Sequence, residues 1–285
     1  MPELPEVEVL VRHLRPLLKN KAIRSVAVRR ARVIAPTRLG TFRRWLRGAK
    51  FLGVTRRGKY LLFELRAVGS RESFTLLGHL GMTGRMFLAP KKSPLPKHAA
   101  VVLELGRERF VYEDTRYFGR LTLDISAAEK LGPEPFSKGF NPPAFAQALS
   151  RSRQAIKVKL LDQSLVAGVG NIYASEALFR ARISPALPAR KLNTEQVRRL
   201  HRAIREALAQ AIRFGSTVPL RFEGEKRDGL FYFGRDPGAP DYYSERLLVY
   251  DRKDQPCVRC KSPIKRIVQS ARSTFFCPRC QPSRG

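Results

Sequence analysis

A chain of 285 residues with a formal net charge of +31 is long enough to bury one large core or two modest ones, and its charge far exceeds what solubility requires. Such a balance points to a partner made of phosphates. The competing class, a cationic membrane-surface protein, lacks its marks: there is no amphipathic Lys/Arg helix with a Trp-rich face, no apolar run of about 18 residues and no cationic leader before a hydrophobic stretch, so a soluble, cytoplasmic protein is expected.

In chain order, Val7, Leu10, Val11, Leu14 and Leu18 fall at helical spacing, which predicts a first helix over residues 3–19. From residue 9 to residue 63 there is no Asp or Glu, yet 16 basic residues run from Arg12 to Lys59. A solvated face mixes signs, so this one-sign stretch favours a bound polyanion. The segments 22–30, 50–57, 59–65, 73–80, 99–105, 109–114 and 120–125 are short β-branched or aromatic runs divided by Gly, Pro and charged turns, which predicts an antiparallel sandwich or barrel. LGPEPFSKGFNPP (131–143) concentrates Gly and Pro and reads as a linker. Beyond it the period is helical over PPAFAQALS, RQAIKVKLLDQ, NIYASEALFRA and TEQVRRLHRAIREALAQAIRF, with Asn193 or Thr194 capping the last. Residues 215–245 read as a long loop, and loops of that length are more often functional than idle. We divide the chain into residues 1–133, 134–245 and 246–285.

All four cysteines lie in the tail, as Cys257-x2-Cys260, 16 residues, then Cys277-x2-Cys280. Two CxxC turns bring four thiolates to the corners of a tetrahedron, the ligand set of one structural Zn2+. Two disulfides would need an exported protein. About 40 residues could hardly bury a core without the metal, and four sulfurs leave the ion no open position for chemistry. Arg272 falls near a hairpin tip five residues before Cys277, where a phosphate contact and a merely solvated arginine are both reasonable.

The opening MPELPEVE puts Pro2 at the terminus once Met1 is removed. A secondary amine that attacks a sugar C1′ expels the base and leaves an iminium that cannot relax to a neutral imine, so it stays an electron sink for phosphate elimination. Glu3 is placed to protonate a leaving group or ring oxygen. An ordinary helix start, where Pro and Glu are common, is the plainer alternative.

MPELPEVE, RRGKY (56–60), GHLGMTG (78–84), DTRYFGR (114–120), LLDQSLVAGVGNIYASEALF (160–179) and the paired CxxC tail, in this order, closely resemble the formamidopyrimidine-DNA glycosylase family over nearly the whole chain. The related endonuclease VIII branch usually has glycine where this chain has Leu4, which favours the branch acting on oxidised purines over one acting on oxidised pyrimidines. The resemblance implies an α+β fold: an N-terminal antiparallel β-sandwich with flanking helices, then a helix-two-turns-helix domain with a zinc-binding β-hairpin.

By the same resemblance Pro2 is the nucleophile and Glu3 the general acid, with Glu6 supporting that turn. Lys59 contacts the lesion nucleotide and assists β-elimination, where a surface lysine is the alternative. Met82, Arg116 and Phe118 fill the gap left by the turned-out nucleotide, although core packing alone would explain Met82 and Phe118. His98, Arg153, Lys157 and Asn171 contact phosphates, with a structural role as the alternative for His98. Arg272 binds phosphates flanking the lesion and is linked to δ-elimination. GVGN lets the backbone approach a phosphate at Gly168 and Gly170.

The sequence departs from the family pattern at Tyr117, often a second arginine, at Asp251, usually glycine, and over 215–246, longer and differently composed than a lesion-capping loop should be. The expected protein is a monomer that excises oxidised purines (8-oxoguanine, formamidopyrimidines) from duplex DNA lying in a basic cleft between domains and then cleaves the strand by β- and δ-elimination, with no redox cofactor. Its alternatives are an oxidised-pyrimidine enzyme and an inactive zinc-containing DNA-binding protein.

Overall fold

The computed structural model describes residues 2–215 and 247–282; the long loop expected over 215–245, and the departure over 215–246, lie outside the described residues except for residue 215. The described residues form two units. The first comprises Pro2 and residues 6–129, and the second comprises residues 3–5, 130–215 and 247–282.

Helix α1 (Leu4–Leu18), which belongs to the first unit from Glu6 onward, turns Val7, Leu10, Val11, Leu14 and Leu18 inward, each fully buried. Strand β1 (Ser25–Val28) and the short helix α2 (Leu39–Leu46) follow, then β2 (Lys50–Arg57), β3 (Tyr60–Arg66), β4 (Ser73–His79), β5 (Gly84–Pro90), β6 (Ala99–Glu104), β7 (Glu108–Asp114), β8 (Arg120–Thr122) and a last turn of helix, α3 (Ser126–Glu129). They form two four-stranded antiparallel sheets, ordered β1-β6-β7-β5 and β2-β3-β4-β8. Phe51 and Phe63 of one sheet meet Phe110 of the other with ring centroids 6.5 and 5.5 Å apart, so the inner faces pack as a sandwich over an aromatic centre.

Several elements differ from the sequence pattern. Strand β5 and helix α2 are additional: β5 hides behind the Gly-rich LGMTG turn, and α2 is too short and too arginine-rich to show a clean period, although it buries Phe42 and Leu46. The strand expected over 120–125 stops at Thr122, where the Thr122 hydroxyl accepts from Asp124 N and the Asp124 carboxylate accepts from Ser126 N, a side-chain turn that competes with the ladder.

The second unit is helical: α4 (Pro142–Ser150), α5 (Ile156–Lys159), α6 (Asn171–Ala181) and α7 (Thr194–Gly215), then the hairpin β9 (Lys265–Gln269) and β10 (Arg272–Phe276). Asn141 caps α4 by accepting from Ala144 N at 3.0 Å. For α7 the cap is Asn193: its side chain accepts from Gln196 N while the Gln196 side chain accepts from Asn193 N, a reciprocal capping box. The helix expected over RQAIKVKLLDQ shrinks to one turn because the Asp162 carboxylate takes Lys159 Nζ and Ser164 N and Oγ, which folds the chain into turns before α6. No helix among the described residues is long and apolar enough to cross a membrane.

Candidate active site and metal centre

Pro2 is buried, immediately ahead of Glu3, whose side chain is 2% exposed. The Glu3 carboxylate accepts from Gly170 N and Ile172 N, both at 2.8 Å, and from Tyr173 N at 3.3 Å. These are the orphan donors of the first turn of α6, at the positive end of its dipole. Gly168 holds φ +88°, and a β-carbon there would fall 2.6 Å from the Leu4 side chain; one on Gly170 would collide with the Glu3 carboxylate. The GVG sequence therefore lets the backbone close around residues 3 and 4, with Leu4 N donating to Gly168 O. Glu6 is also buried in the first turns of α1.

Beside this turn Lys157, only 1% exposed, donates to Asn171 Oδ1 at 2.6 Å. Asn171 Nδ2 donates to Ser273 O of β10 at 2.9 Å. Burial pulls the Lys157 ammonium down to about 8, with Glu3 opposing and Arg272 reinforcing the shift. Glu3, Lys157, Asn171 and Arg272 thus form one polar cluster in the second unit. Arg272 is exposed and starts β10 after a two-residue turn, Ser270 and Ala271, both with left-handed φ of 47° and 58°. Arg153 is exposed in the turn leading to α5.

In the first unit, Gly58 and Lys59 form the two-residue turn between β2 and β3, where Arg57 pairs with Tyr60. Gly58 at φ +55° supplies the conformation such a hairpin demands of its first central residue. Lys59 is 8% exposed, and its charge helps depress its neighbour His79, which burial first, then Lys59 and Arg120, push down to about 4 against the pull of Asp114. His79 is therefore neutral near pH 7.

Met82, Arg116 and Phe118 come together on two fused loops. A β-carbon on Gly81, which holds φ +60°, would stand 2.5 Å from Gly119 N and 2.7 Å from Phe118 C, so the loop backbones touch. The fully buried Asp114 locks them by accepting from Thr83 Oγ1 (2.6 Å), Gly119 N (2.9 Å), Arg116 N (3.1 Å) and Tyr112 OH (3.3 Å). Met82 and Phe118 stand 38% and 47% exposed, unlike core residues, and the Arg116 guanidinium lies over the Phe118 ring, 4.8 Å from its centroid.

The two departures that fall on described residues both sit in left-handed backbone. Tyr117 holds φ +54° and Asp251 φ +57°; at Asp251 a short polar side chain replaces glycine in a conformation it tolerates. The Tyr117 hydroxyl accepts from Arg30 Nε at 3.1 Å, with that guanidinium 5.4 Å from the ring centroid, and lies 3.5 Å from His98 Nδ1. Arg30 thus brings a cation beside Tyr117.

The four cysteine sulfurs lie within 4.8 Å of one another, with Cys257 to Cys280 at 3.9 Å and Cys260 to Cys277 at 3.4 Å. Tetrahedral Zn–S bonds of about 2.3 Å require edges of about 3.8 Å, so the residues fit one structural Zn2+. Arg259 N points at Cys257 Sγ and Cys280 N at Cys277 Sγ, each at 3.4 Å, orienting the thiolates. Burial and then the neighbouring sulfurs push the Cys280 thiol up to about 12, so four thiolates would repel one another without a cation.

Several organising residues escape a reading of the sequence. Besides Asp114 and Arg30, Gln163 ties the loop before α6 by donating to Leu161 O and Val169 O and accepting from Gly168 N. The buried Glu176 accepts from the backbone N–H groups of Leu248, Val249 and Tyr250. Its one signal was a carboxylate in the middle of an apolar helix; burial raises its pKa against the pull of those three donors and Arg180.

The chain matches three family models: the formamidopyrimidine-DNA glycosylase N-terminal domain over residues 1–121, the formamidopyrimidine-DNA glycosylase H2TH domain over 131–221, and the zinc finger found in FPG and IleRS over 254–282. It is 43% identical to a formamidopyrimidine-DNA glycosylase of Thermus thermophilus, over 99% of this chain and 98% of that protein, and 42% identical to one of Symbiobacterium thermophilum, over 99% and 90%. Among solved structures, Lactococcus lactis Fpg bound to DNA containing N7-benzyl-Fapy-dG superposes with a TM-score of 0.86 at 33% identity, covering 99% of this chain and all of that one. The MutM (Fpg) protein of Thermus thermophilus superposes at 0.80 with 41% identity, covering 98% of each. The chain therefore belongs to the formamidopyrimidine-DNA glycosylase family, and it is an enzyme of the DNA glycosylase and AP lyase class.

Proposed function

We propose that the protein removes oxidised purines, 8-oxoguanine and formamidopyrimidines, from duplex DNA through the secondary amine of Pro2, exposed when Met1 is removed. The observation that carries this reading is the Glu3 carboxylate, anchored by three backbone N–H groups at the head of α6 directly after Pro2. The unprotonated Pro2 nitrogen bonds to C1′, the glycosidic bond breaks, and the base leaves with the electron pair and takes a proton, with Glu3 as the acid. The nitrogen sheds its proton and its lone pair breaks the C1′–O4′ bond, O4′ taking a proton, so that the opened sugar is held as an iminium. Loss of a 2′ proton to a base then expels the 3′ phosphate in β-elimination, loss of the 4′ proton expels the 5′ phosphate in δ-elimination, and water adds at C1′ to release the amine.

Lys59, nearly buried in its turn, assists the elimination, and Arg272 serves the flanking phosphates and the δ step. Met82, Arg116 and Phe118 fill the vacated stack; their exposure and the Arg116–Phe118 contact suit that role. His98, Arg153, Lys157 and Asn171 hold phosphates, and Glu6 supports the first turn. The working division is catalytic domain 1–133, helical DNA-binding domain with its lesion-capping loop 134–245 and zinc finger 246–285, acting as a cytoplasmic monomer.

Incubation with borohydride and duplexes bearing 8-oxoguanine, a formamidopyrimidine or thymine glycol tests both chemistry and choice. The expected result is a covalent adduct, strongest with the two purine lesions and lost in a variant whose Pro2 is masked. An adduct preferentially with thymine glycol would move the assignment to oxidised pyrimidines, and no adduct at all would leave a DNA-binding protein without catalysis.

A further inference from the structure

Helix α2 is not used by the chemistry above. It buries Phe42 and Leu46 and turns Arg43, Arg44, Trp45 and Arg47 outward, with Arg38 exposed at its N-cap. None of these four arginines has a carboxylate partner among the described residues. Trp45 is 37% exposed and meets Phe74 edge to face at 5.1 Å, while Gly48, just past the helix, lies against Val68, itself 70% exposed. Val68 lies in the β3–β4 turn and Phe74 just beyond it in β4, at the end of β3 away from Lys59 and about 20 Å from it at the usual rise per residue. Lys50 and Arg66, both exposed, pair directly across the strands at that same end, a like-charge pairing that costs stability unless an anion offsets it.

Four guanidinium groups with no carboxylate partner among the described residues, beside a solvent-facing indole, give α2 itself a face of one sign, since residues 38–47 contain no Asp or Glu, where an idle helix face would mix signs. Guanidinium matches phosphate in geometry, and an aromatic ring beside it offers a stacking or sugar-packing platform. We propose that the α2 face is a second nucleic-acid-binding surface, which takes the phosphate backbone of a DNA segment other than the one held at the active site. A protein that holds two segments can pass from one to the next without full release, a use for positive charge that the lesion site does not exhaust.

Trp45 is the only tryptophan in the chain, so its fluorescence reports on this face alone. The experiment first loads the active site with a short lesion duplex, trapped by borohydride, and then titrates undamaged duplex. Expected are a further change in Trp45 emission and a binding constant that falls steeply with salt. In R38Q/R43Q/R44Q/R47Q the slope of log K against log salt should flatten by about 2 or more, while adduct yield on the short duplex stays as in wild type. If no adduct forms, the activity reading fails separately, and wild type and variant are compared by the same titration of the free protein. Should the quadruple variant fold poorly, judged by circular dichroism, K50Q/R66Q replaces it. An unchanged Trp45 signal, equal salt slopes, or an equal response to polyglutamate of matched charge would overturn the proposal.

Discussion

Gly170 and Lys157 concentrate the site's constraints into single residues. A β-carbon at Gly170 has nowhere to go except into the Glu3 carboxylate, so Gly170→Ala must displace the very group that caps α6. A misplacement of about 1 Å at a catalytic group can cost about 100-fold in rate, and that is the expected loss in trapping yield; Gly139→Ala, with nothing nearer than 3.6 Å, should leave it unchanged. Lys157 makes a pH prediction. Its folded pKa of about 8 lies below its ordinary 10.5, so between these values the unfolded chain binds more protons than the folded one. Stability from this group therefore rises as pH climbs through 8 to 10.5 and is lost again on the way down. Urea midpoints should show that rise in the wild type and a flatter profile in Lys157→Met. Above pH 8 the cation itself disappears, so the salt slope of DNA binding should shrink by about 1 in the wild type only.

At the level of elements, the β9–β10 hairpin is closed by a turn whose two central residues, Ser270 and Ala271, both hold left-handed φ, the geometry that Asn-Gly fills at least cost. Neither present residue is glycine, and an L side chain in that region costs about 1 kcal/mol. Ala271→Gly should raise the stability of the zinc-loaded protein in urea by about that amount and leave DNA affinity unchanged, because Arg272 stays in register with Gln269. The hairpin is joined to α6 through Asn171 and Ser273, and Glu176 of the same helix gathers residues 248–250. Helix α6 is thus the spine of the second unit: its first turn holds Glu3, and its middle holds the chain entering the zinc finger.

For the whole molecule, the zinc finger contributes a cluster too small to stand without its metal. Its core consists of Val249, Cys257, Ile264, Phe275 and Cys277 against Phe179 of α6. Chelation should abolish hydrogen-exchange protection across β9 and β10 while the sheets of the first unit keep theirs, and Zn2+ should restore it. Equal loss in both units would show that the metal stabilises more than its own module. Because Ser273 and Arg272 belong to that hairpin, the metal-free protein should also lose most of its trapping yield, measured in the same samples.

Much of this architecture was written locally. The apolar period of α1 and α7, the β-branched runs, and two CxxC pairs state helix, strands and metal ligands within a few residues of each other, because helical spacing, pleat and ligand bite are short-range geometry. Resemblance over six ordered motifs then supplied the family. What no local pattern could state was which groups meet across the chain: Glu3 with Gly170 and Ile172, 167 and 169 residues apart, Arg30 with Tyr117, 87 apart, or Thr83 with Asp114. Hydrogen-bond partners at such separation are chosen by how the packed backbones present their unsatisfied donors, and only the tertiary structure decides that.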